Sequence, residues 1–109
     1  MTAEAIRQRV ESEIAGDWSL TNAHGCDLRR CLVSPEVCEY DDCGGGRPSA
    51  EPTPVVRMWL VLEEKPEDRD GYKIVYGPEA GMFGLAVAGS PRDVFIGYYG
   101  SFLEAWRAM

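Results

Sequence analysis

The fold is decided by residues 72–88, which read YKIVYGPEAGMFGLAVA. In residues 72–76 every second side chain is large and apolar or aromatic, which is the two-residue period of a β-strand. Residues 82–88 alternate in the same way. The glycine- and proline-containing run 77–81 between them is typical of a turn. We therefore predict two antiparallel strands joined by a short connection.

Similar strands are predicted on both sides of this pair. Residues 55–62 are apolar on both faces of a strand, interrupted only by Arg57, and residues 94–98 show another strand pattern. The connections between these strands are short, so we predict a four-stranded antiparallel meander. The glycine and alanine side chains of strand 82–88 share one face, and we expect a helix to approach that face closely.

One helix is predicted at each end of the chain. Thr2 can cap a helix that continues to Ala15. Near the other end, Ser101 and Glu104 form a capping box that begins the second helix. The first helix has a narrow apolar stripe, which is made of Ile6, Val10 and Ile14. Such a stripe needs a larger surface to pack against, so both helices are expected on one face of the sheet, in an α+β fold.

Residues 17–54 give no clear pattern, and we predict an irregular, loop-rich segment between the first helix and the sheet. Residues 32–37 indicate only a short extended piece, and residues 41–49 are turn-forming throughout. The sequence shows no internal repeat and no sign of a second core. Residues 1–109 are therefore predicted to form a single domain.

All four cysteines of the chain lie in this segment, at Cys26, Cys31, Cys38 and Cys43. Four thiolates suit the tetrahedral coordination of zinc. However, the spacing Cys-x4-Cys-x6-Cys-x4-Cys lacks the Cys-x2-Cys pairs that are typical of zinc sites. No cofactor is therefore our first prediction, and zinc bound by these four residues is the alternative.

Two further interpretations of the cysteines remain open. A hairpin centred on the Ser34–Pro35 bond would place Cys31 opposite Cys38 and the outer two cysteines opposite each other, which allows two nested disulfides. The chain opens without a secretion signal, which argues against structural disulfides. The third interpretation, which the spacing favours, is that the cysteines are ordinary reduced thiols.

The charge of the chain points to a class of partner. Eleven Lys and Arg against eighteen Asp and Glu give a net charge of −7, and no basic residue occurs in residues 31–46. A negative field repels nucleic acid and anionic membranes, and it attracts a basic protein. The candidate partner-binding residues are carboxylates of two acidic segments and one aromatic residue, namely Glu36, Glu39, Asp41, Asp42, Glu63, Glu64, Glu67, Asp68 and Tyr99.

The sequence contains no recognisable catalytic arrangement. His24 is the only histidine, and no nucleophile–base pair or pair of carboxylates is placed by a known motif. We therefore predict that the protein is not an enzyme. The first residues form a polar helix start rather than an apolar signal core, and the apolar runs are too short to span a bilayer, which predicts a cytoplasmic protein.

Four segments of the second half resemble small bacterial proteins, some of which look like immunity proteins that neutralise polymorphic toxins. The segments are WLVLEE (59–64), GYKIVY (71–76), FGLA (83–86) and FIGYYGSFL (95–103). Their shared features are turn glycines and core aromatic residues, and they carry over no catalytic residue. The resemblance implies a cytosolic inhibitor that binds a toxin and covers its active site.

Charge, size and resemblance together predict a small acidic cytosolic protein that binds and inhibits a basic protein. The alternative function belongs to a different class. It is a zinc-binding or thiol-redox module formed by the segment from Cys26 to Cys43.

Overall fold

The computed structural model describes residues 2–22, 25, 27–42, 54–65, 70–89 and 92–109. The elements are α1 (Ala3–Ile14), α2 (Leu28–Cys31), β1 (Leu32–Asp42), β2 (Val55–Lys65), β3 (Asp70–Gly77), β4 (Met82–Val87), β5 (Val94–Gly100) and α3 (Phe102–Ala108). The structure confirms the α+β class, the antiparallel sheet and the two terminal helices.

The sheet has five strands, so the prediction of four is wrong. Strands β2 to β5 form the predicted meander, and each pairs with the next in antiparallel orientation. Strand β1 pairs antiparallel with β2, with Tyr40 opposite Val56. Asp41 also pairs in parallel with Val94, at the start of β5. This parallel contact closes the sheet, in the order β1-β2-β3-β4-β5, into a barrel.

Strand β1 lies inside the segment that was predicted to be irregular. Its exposed residues, Glu36, Val37 and Glu39, break the apolar alternation on which strand prediction depends. Pro35 lies where the register of β1 against β2 shifts, between Leu32 and Glu36. Proline is tolerated at such irregularities because the ladder hydrogen bond is already interrupted. The strand therefore depends on its long partner β2, which local sequence does not reveal.

The hairpin predicted around the Ser34–Pro35 bond is wrong, because residues 32–42 run as one strand without a reversal. Cys31 ends α2, and Cys38 lies seven residues further along β1. Among the described residues, both are thiols and not disulfides. The nested pairing of these two cysteines is therefore excluded in this structure.

The larger core lies between the sheet and the helices α1 and α3. Ile6, Val10 and Ile14 are buried, as predicted from their spacing. Phe102 of α3 packs against Phe83 of β4 with ring centroids 5.9 Å apart. The other members buried in this core include Leu28, Cys31, Val61, Leu62, Ile74, Tyr76, Leu85, Ala105, Trp106 and Met109.

The caps of both helices are those that the sequence predicts. The Thr2 hydroxyl accepts a hydrogen bond from the Ala5 amide at 3.1 Å. Ser101 and Glu104 form the reciprocal capping box of α3. A further contact was not predicted: the Glu13 carboxylate of α1 accepts from the first two amides of α3, each at 3.1 Å. A side chain of one helix thus satisfies unpaired donors at the start of the other.

The small-residue face of β4 does not receive a helix, which corrects that expectation. The helices lie against the opposite face, which carries Phe83 and Leu85. Gly84 and Ala86 instead face the inside of the closed sheet, where Ala86 packs with Phe95. A Cβ atom at Gly84 would overlap the Gly97 carbonyl and come within 2.9 Å of the Phe95 ring. The narrow interior of the barrel, rather than a helix, explains these small residues.

In the described part of the chain, no helix is both long and apolar enough to cross a membrane.

Candidate partner-binding surface

The acidic residues predicted on the first half lie along β1. Glu36 and Glu39 are exposed, and Asp41 and Asp42 are partly buried. The Asp41 carboxylate forms an ion pair with Arg92 at 3.1 Å, so part of its role is to tie β1 to the residues before β5. Asp41 is thus committed to the barrel. Glu39 also forms an ion pair, with Arg57 at 3.7 Å, but 53% of its side chain is exposed. The roles of Glu36, Glu39 and Asp42 in partner binding stay predictions.

One face of β1 and β2 carries both apolar and charged residues in direct cross-strand pairs. The pairs are Val37 with Trp59, Glu39 with Arg57 and Asp41 with Val55. We call these six residues the β1–β2 face. Val37 is 52% exposed and Val55 44% exposed, although both are apolar. Exposed apolar side chains that lie together within a rim of polar residues are one mark of a surface that another protein covers.

A groove of about 450 Å³ opens beside the β1–β2 face. Residues 55–58 of β2 form one side, and Gly77, Pro78 and Glu79 of the β3–β4 turn form another. Tyr98 of β5 completes the lining. A Cβ atom at position 77 would overlap the Tyr98 hydroxyl, so the tyrosine lies directly over the glycine. Gly77 thereby allows the Tyr98 side chain to lie close to the backbone, while 39% of the tyrosine stays exposed.

The electrostatic environment of the groove is negative. Partial burial, and then the nearby carboxylates of Asp42 and Glu79, raise the pKa of the Tyr98 phenol above its ordinary value. The groove also contains Arg57, whose guanidinium lies 3.7 Å from the carboxylate of Glu39. Two carboxylates thus act on Tyr98 and a third pairs with Arg57, so a cation entering the groove is favoured over an anion.

The acidic residues predicted in a loop after β2 lie elsewhere. Glu63 and Glu64 belong to β2, which continues to Lys65. Glu63 is only 5% exposed, so its carboxylate is not presented to a partner in this conformation. The Glu64 carboxylate accepts a hydrogen bond from the Tyr72 amide at 3.0 Å. Glu67 and Asp68 lie outside the described residues, and their role in binding stays a prediction.

Tyr99 is exposed, as expected for the aromatic residue chosen from the sequence, with 42% of its surface accessible. It lies at an irregularity of the β4–β5 ladder, between the pairs of Gly100 with Phe83 and Tyr98 with Gly84. Its contribution to partner binding stays a prediction. The neighbouring Tyr98, which the sequence analysis did not single out, lines the groove.

A charged cluster inside the barrel was not predicted. Lys73 is 1% exposed, and its ammonium group forms an ion pair with Asp93 at 3.2 Å. Glu63 lies opposite Lys73 in the β2–β3 ladder. Tyr40 is also buried here, and burial raises the pKa of its phenol far above the ordinary value of 10.0. The Cys38 side chain and the carboxylates of Asp93 and Glu63 raise it further.

The two described cysteines do not converge on one point. Cys31 is 2% exposed, and its thiol lies 3.5 Å from the Glu64 carbonyl oxygen. At roughly 3.3 Å per residue, the seven steps to Cys38 span about 20 Å of strand, whereas the sulfur ligands of one zinc ion lie about 4 Å apart. The described residues contain no group of three or more His, Cys, Asp or Glu side chains suited to a metal. Cys26 and Cys43 lie outside the described residues, so the zinc alternative stays a prediction.

The sequence indicates the carboxylates of this surface and not the rest of it. Residues 55–62 are apolar on both faces, and this pattern gives no reason to expect that Val55 and Arg57 are exposed. Gly77 and Pro78 were recognised only as a turn. The closure of the sheet brings Tyr98 beside that turn, and no local pattern encodes closure.

Comparisons of the chain with protein-family models, with curated proteins and with solved structures find no match.

Proposed function

We propose that this chain is a small acidic protein that binds and inhibits a basic protein in the cytoplasm. The observation that carries the proposal is the β1–β2 face, where Val37 and Val55 stay exposed beside the carboxylate of Glu39. Burying both valines against a partner would remove apolar surface from water, which favours association. The surrounding carboxylates favour a basic partner over an acidic one.

The charge distribution supports the same class of partner. The chain carries a net charge of −7, and its exposed residues Glu36 and Glu39 lie on one strand. Opposite charges on two proteins accelerate their encounter more than they tighten the final complex. Apolar and aromatic residues at the centre of the contact supply most of the affinity. A face that combines both types is suited to fast and tight inhibition.

The first experiment identifies the partner. The intact chain is immobilised, extracts of the source cells are applied at low salt, and stoichiometric complexes are weighed by native mass spectrometry. The proposal expects a basic protein whose own activity falls when the chain is added. Retention of acidic proteins alone, or a basic protein whose activity does not change on saturation, would overturn the proposal.

The second experiment tests the surface with the partner in hand. The double variant Glu36→Gln/Glu39→Gln should associate several-fold more slowly at low salt, and the difference should disappear at high salt because the charges are screened. The matched control is Glu4→Gln/Glu11→Gln, which removes the same charge from α1. In each pair, one carboxylate forms a surface ion pair with an arginine. Equal slowing by both doubles would show that net charge, and not the carboxylates of β1, directs the encounter.

The apolar part of the face is tested separately. Val37→Thr keeps the size and branching of the valine side chain and replaces one apolar methyl group by a hydroxyl group. It should leave the association rate unchanged and raise the dissociation rate about three- to ten-fold, as expected for a contact residue near the centre of an interface. An unchanged dissociation rate would place Val37 outside the interface.

A further inference from the structure

The shape and lining of the groove beside the β1–β2 face suit a long side chain that ends in a flat charged group. Met58 lines its inner part and is 4% exposed, so the depth of the groove is apolar. The ring of Tyr98 lies at the opening and packs edge-on against Phe95, with centroids 4.8 Å apart. Gly77 beneath the tyrosine leaves room for the ring to pack against the backbone. The wall is therefore a preformed aromatic surface.

The charges around the opening select for a cation. Glu79 lines the groove, and Asp42 lies close enough to Tyr98 for its charge to act on the phenol. Among the described residues that line the groove, Arg57 is the only cation, and its guanidinium lies 3.7 Å from the carboxylate of Glu39. An anionic ligand would meet these carboxylates unfavourably. A purely apolar ligand would remove water from them without replacing their hydrogen bonds, which costs free energy.

We propose that this groove takes an arginine side chain of the basic partner, with the guanidinium against the Tyr98 ring and between the carboxylates of Asp42 and Glu79. The inference rests on the proposed function, because the partner supplies the arginine. Arginine fits better than lysine for two reasons. Its planar guanidinium stacks on aromatic rings and is weakly hydrated, and its fork of donors matches carboxylates. Its methylene stem is apolar enough to lie along Met58.

The test uses the intact chain and a capped peptide with two adjacent arginines between glycines. Isotope-labelled protein is titrated and the amide signals of Gly77, Glu79 and Tyr98 are followed by NMR. We expect saturable shifts at these amides. A peptide with citrulline in place of arginine has the same shape without the charge, and it should bind at least about five-fold more weakly.

Variants locate the site. Glu79→Gln and Tyr98→Leu should each weaken binding of the arginine peptide about two- to five-fold, and Glu79→Lys about ten-fold or more. Glu11→Gln is the control for net charge. Glu11 follows Arg9 by two helical positions and so lies on the other side of α1 from the residue that reaches the β3–β4 turn. The affinity of the Glu11→Gln variant for the arginine peptide should stay within about two-fold of that of the unchanged chain. Thermal unfolding of each variant verifies that it is folded.

The possible results separate the two proposals. If the arginine and citrulline peptides bind equally, or if the groove variants bind as the unchanged chain does, the groove inference is wrong. The proposed function then survives if a basic partner is still retained and inhibited. If no basic protein is inhibited and the peptide still binds with the expected variant effects, the arginine site stands and the proposed function fails.

Discussion

Glu13 stabilises the start of α3 from outside that helix. Its carboxylate accepts hydrogen bonds from the Phe102 and Leu103 amides, which have no partner within α3. The negative charge also lies at the positive end of the helix dipole. One side chain therefore joins the two helices that cover the core.

Glu13→Gln should lower the free energy of unfolding by about 1–2 kcal/mol, because two charge-assisted hydrogen bonds become weaker or are lost. Urea denaturation measures the change. The control is Glu11→Gln on the same helix, whose exposed pair with Arg7 should contribute less than about 0.5 kcal/mol. Equal effects of the two variants would contradict a special role for Glu13.

Tyr40 makes the protein sensitive to high pH. Burial holds the phenol neutral in the folded chain and raises its pKa, whereas in the unfolded chain the pKa is near 10.0. Above that pH the unfolded state loses this proton and the folded state keeps it, so unfolding becomes more favourable as the pH rises. The stabilisation is complete below pH 10 and is progressively lost above it.

The expected result is a free energy of unfolding that falls above pH 10 more steeply for the unchanged chain than for Tyr40→Phe. The difference in slope should approach about 1.4 kcal/mol per pH unit, which corresponds to one proton. Urea titrations at several pH values between 9 and 11.5 would measure both slopes. Parallel curves for the two proteins would show that Tyr40 is not the titrating group responsible.

At the scale of elements, strand β4 determines how closely the barrel can close. Its outer side chains pack under the helices, while Gly84 and Ala86 face a narrow interior. Gly84 does not need a left-handed backbone, since its φ is not among the positive values of the chain. The glycine is required because the Gly97 carbonyl and the Phe95 ring occupy the space of a side chain.

Gly84→Ala should therefore destabilise the protein by about 1–3 kcal/mol, as overpacking of a core does. Gly81→Ala is an informative control, because Gly81 has a positive φ of 68° but nothing within 4 Å of a new Cβ atom. The Gly81→Ala variant therefore measures the cost of backbone strain in the absence of crowding. Thermal unfolding compares the two. A cost of Gly84→Ala no larger than that of Gly81→Ala would contradict the crowding proposed here.

The sequence predicted the elements with strong local signals. The stripe of Ile6, Val10 and Ile14 and the capping box of Ser101 and Glu104 are confirmed, because both depend on contacts within a few residues. Strands β2 to β5 are also confirmed. Short connections join each of these strands to the next, so their pairing too depends on residues close together in the sequence. Strand β1 was missed because its stability comes from pairing with a distant strand.

The same limit applies to the candidate surface. Lys73 alternates with Tyr72 and Ile74, so its pattern is that of a solvent-facing lysine on a two-sided sheet. In the closed sheet that face is the interior, and Lys73 is buried with Asp93 as its counter-charge. Exposure of Glu36 and Glu39 could be predicted from their charge. The groove could not be predicted, because its lining comes from strand ends that meet only when the sheet closes.

At the scale of the whole molecule, the barrel is closed by a short seam. Among the residues that the structure describes, two parallel pairs join β1 and β5, Asp41 with Val94 and Asp42 with Phe95. The Asp41 amide also donates to the Asp93 carbonyl at 2.9 Å, and Arg92 pairs with the Asp41 carboxylate. Within the described part of the chain, this seam is the shortest ladder of the sheet.

Arg92→Gln should loosen this seam without unfolding the meander. The ion pair is partly exposed, so we expect hydrogen exchange of the Asp41 amide to accelerate by no more than about five-fold. Amides in the centre of the β3–β4 ladder, such as that of Val75, should exchange as before. Equal acceleration at both places would mean that the seam opens only when the whole protein unfolds.

The seam also determines the order in which the chain can fold. Its two strands come from opposite halves of the sequence, so joining them costs more loop-closure entropy than any step within the meander. The meander can form first from neighbouring strands, with the seam added after the rate-limiting barrier. A variant weakened only at the seam, such as Arg92→Gln, would then unfold faster and refold at nearly the original rate.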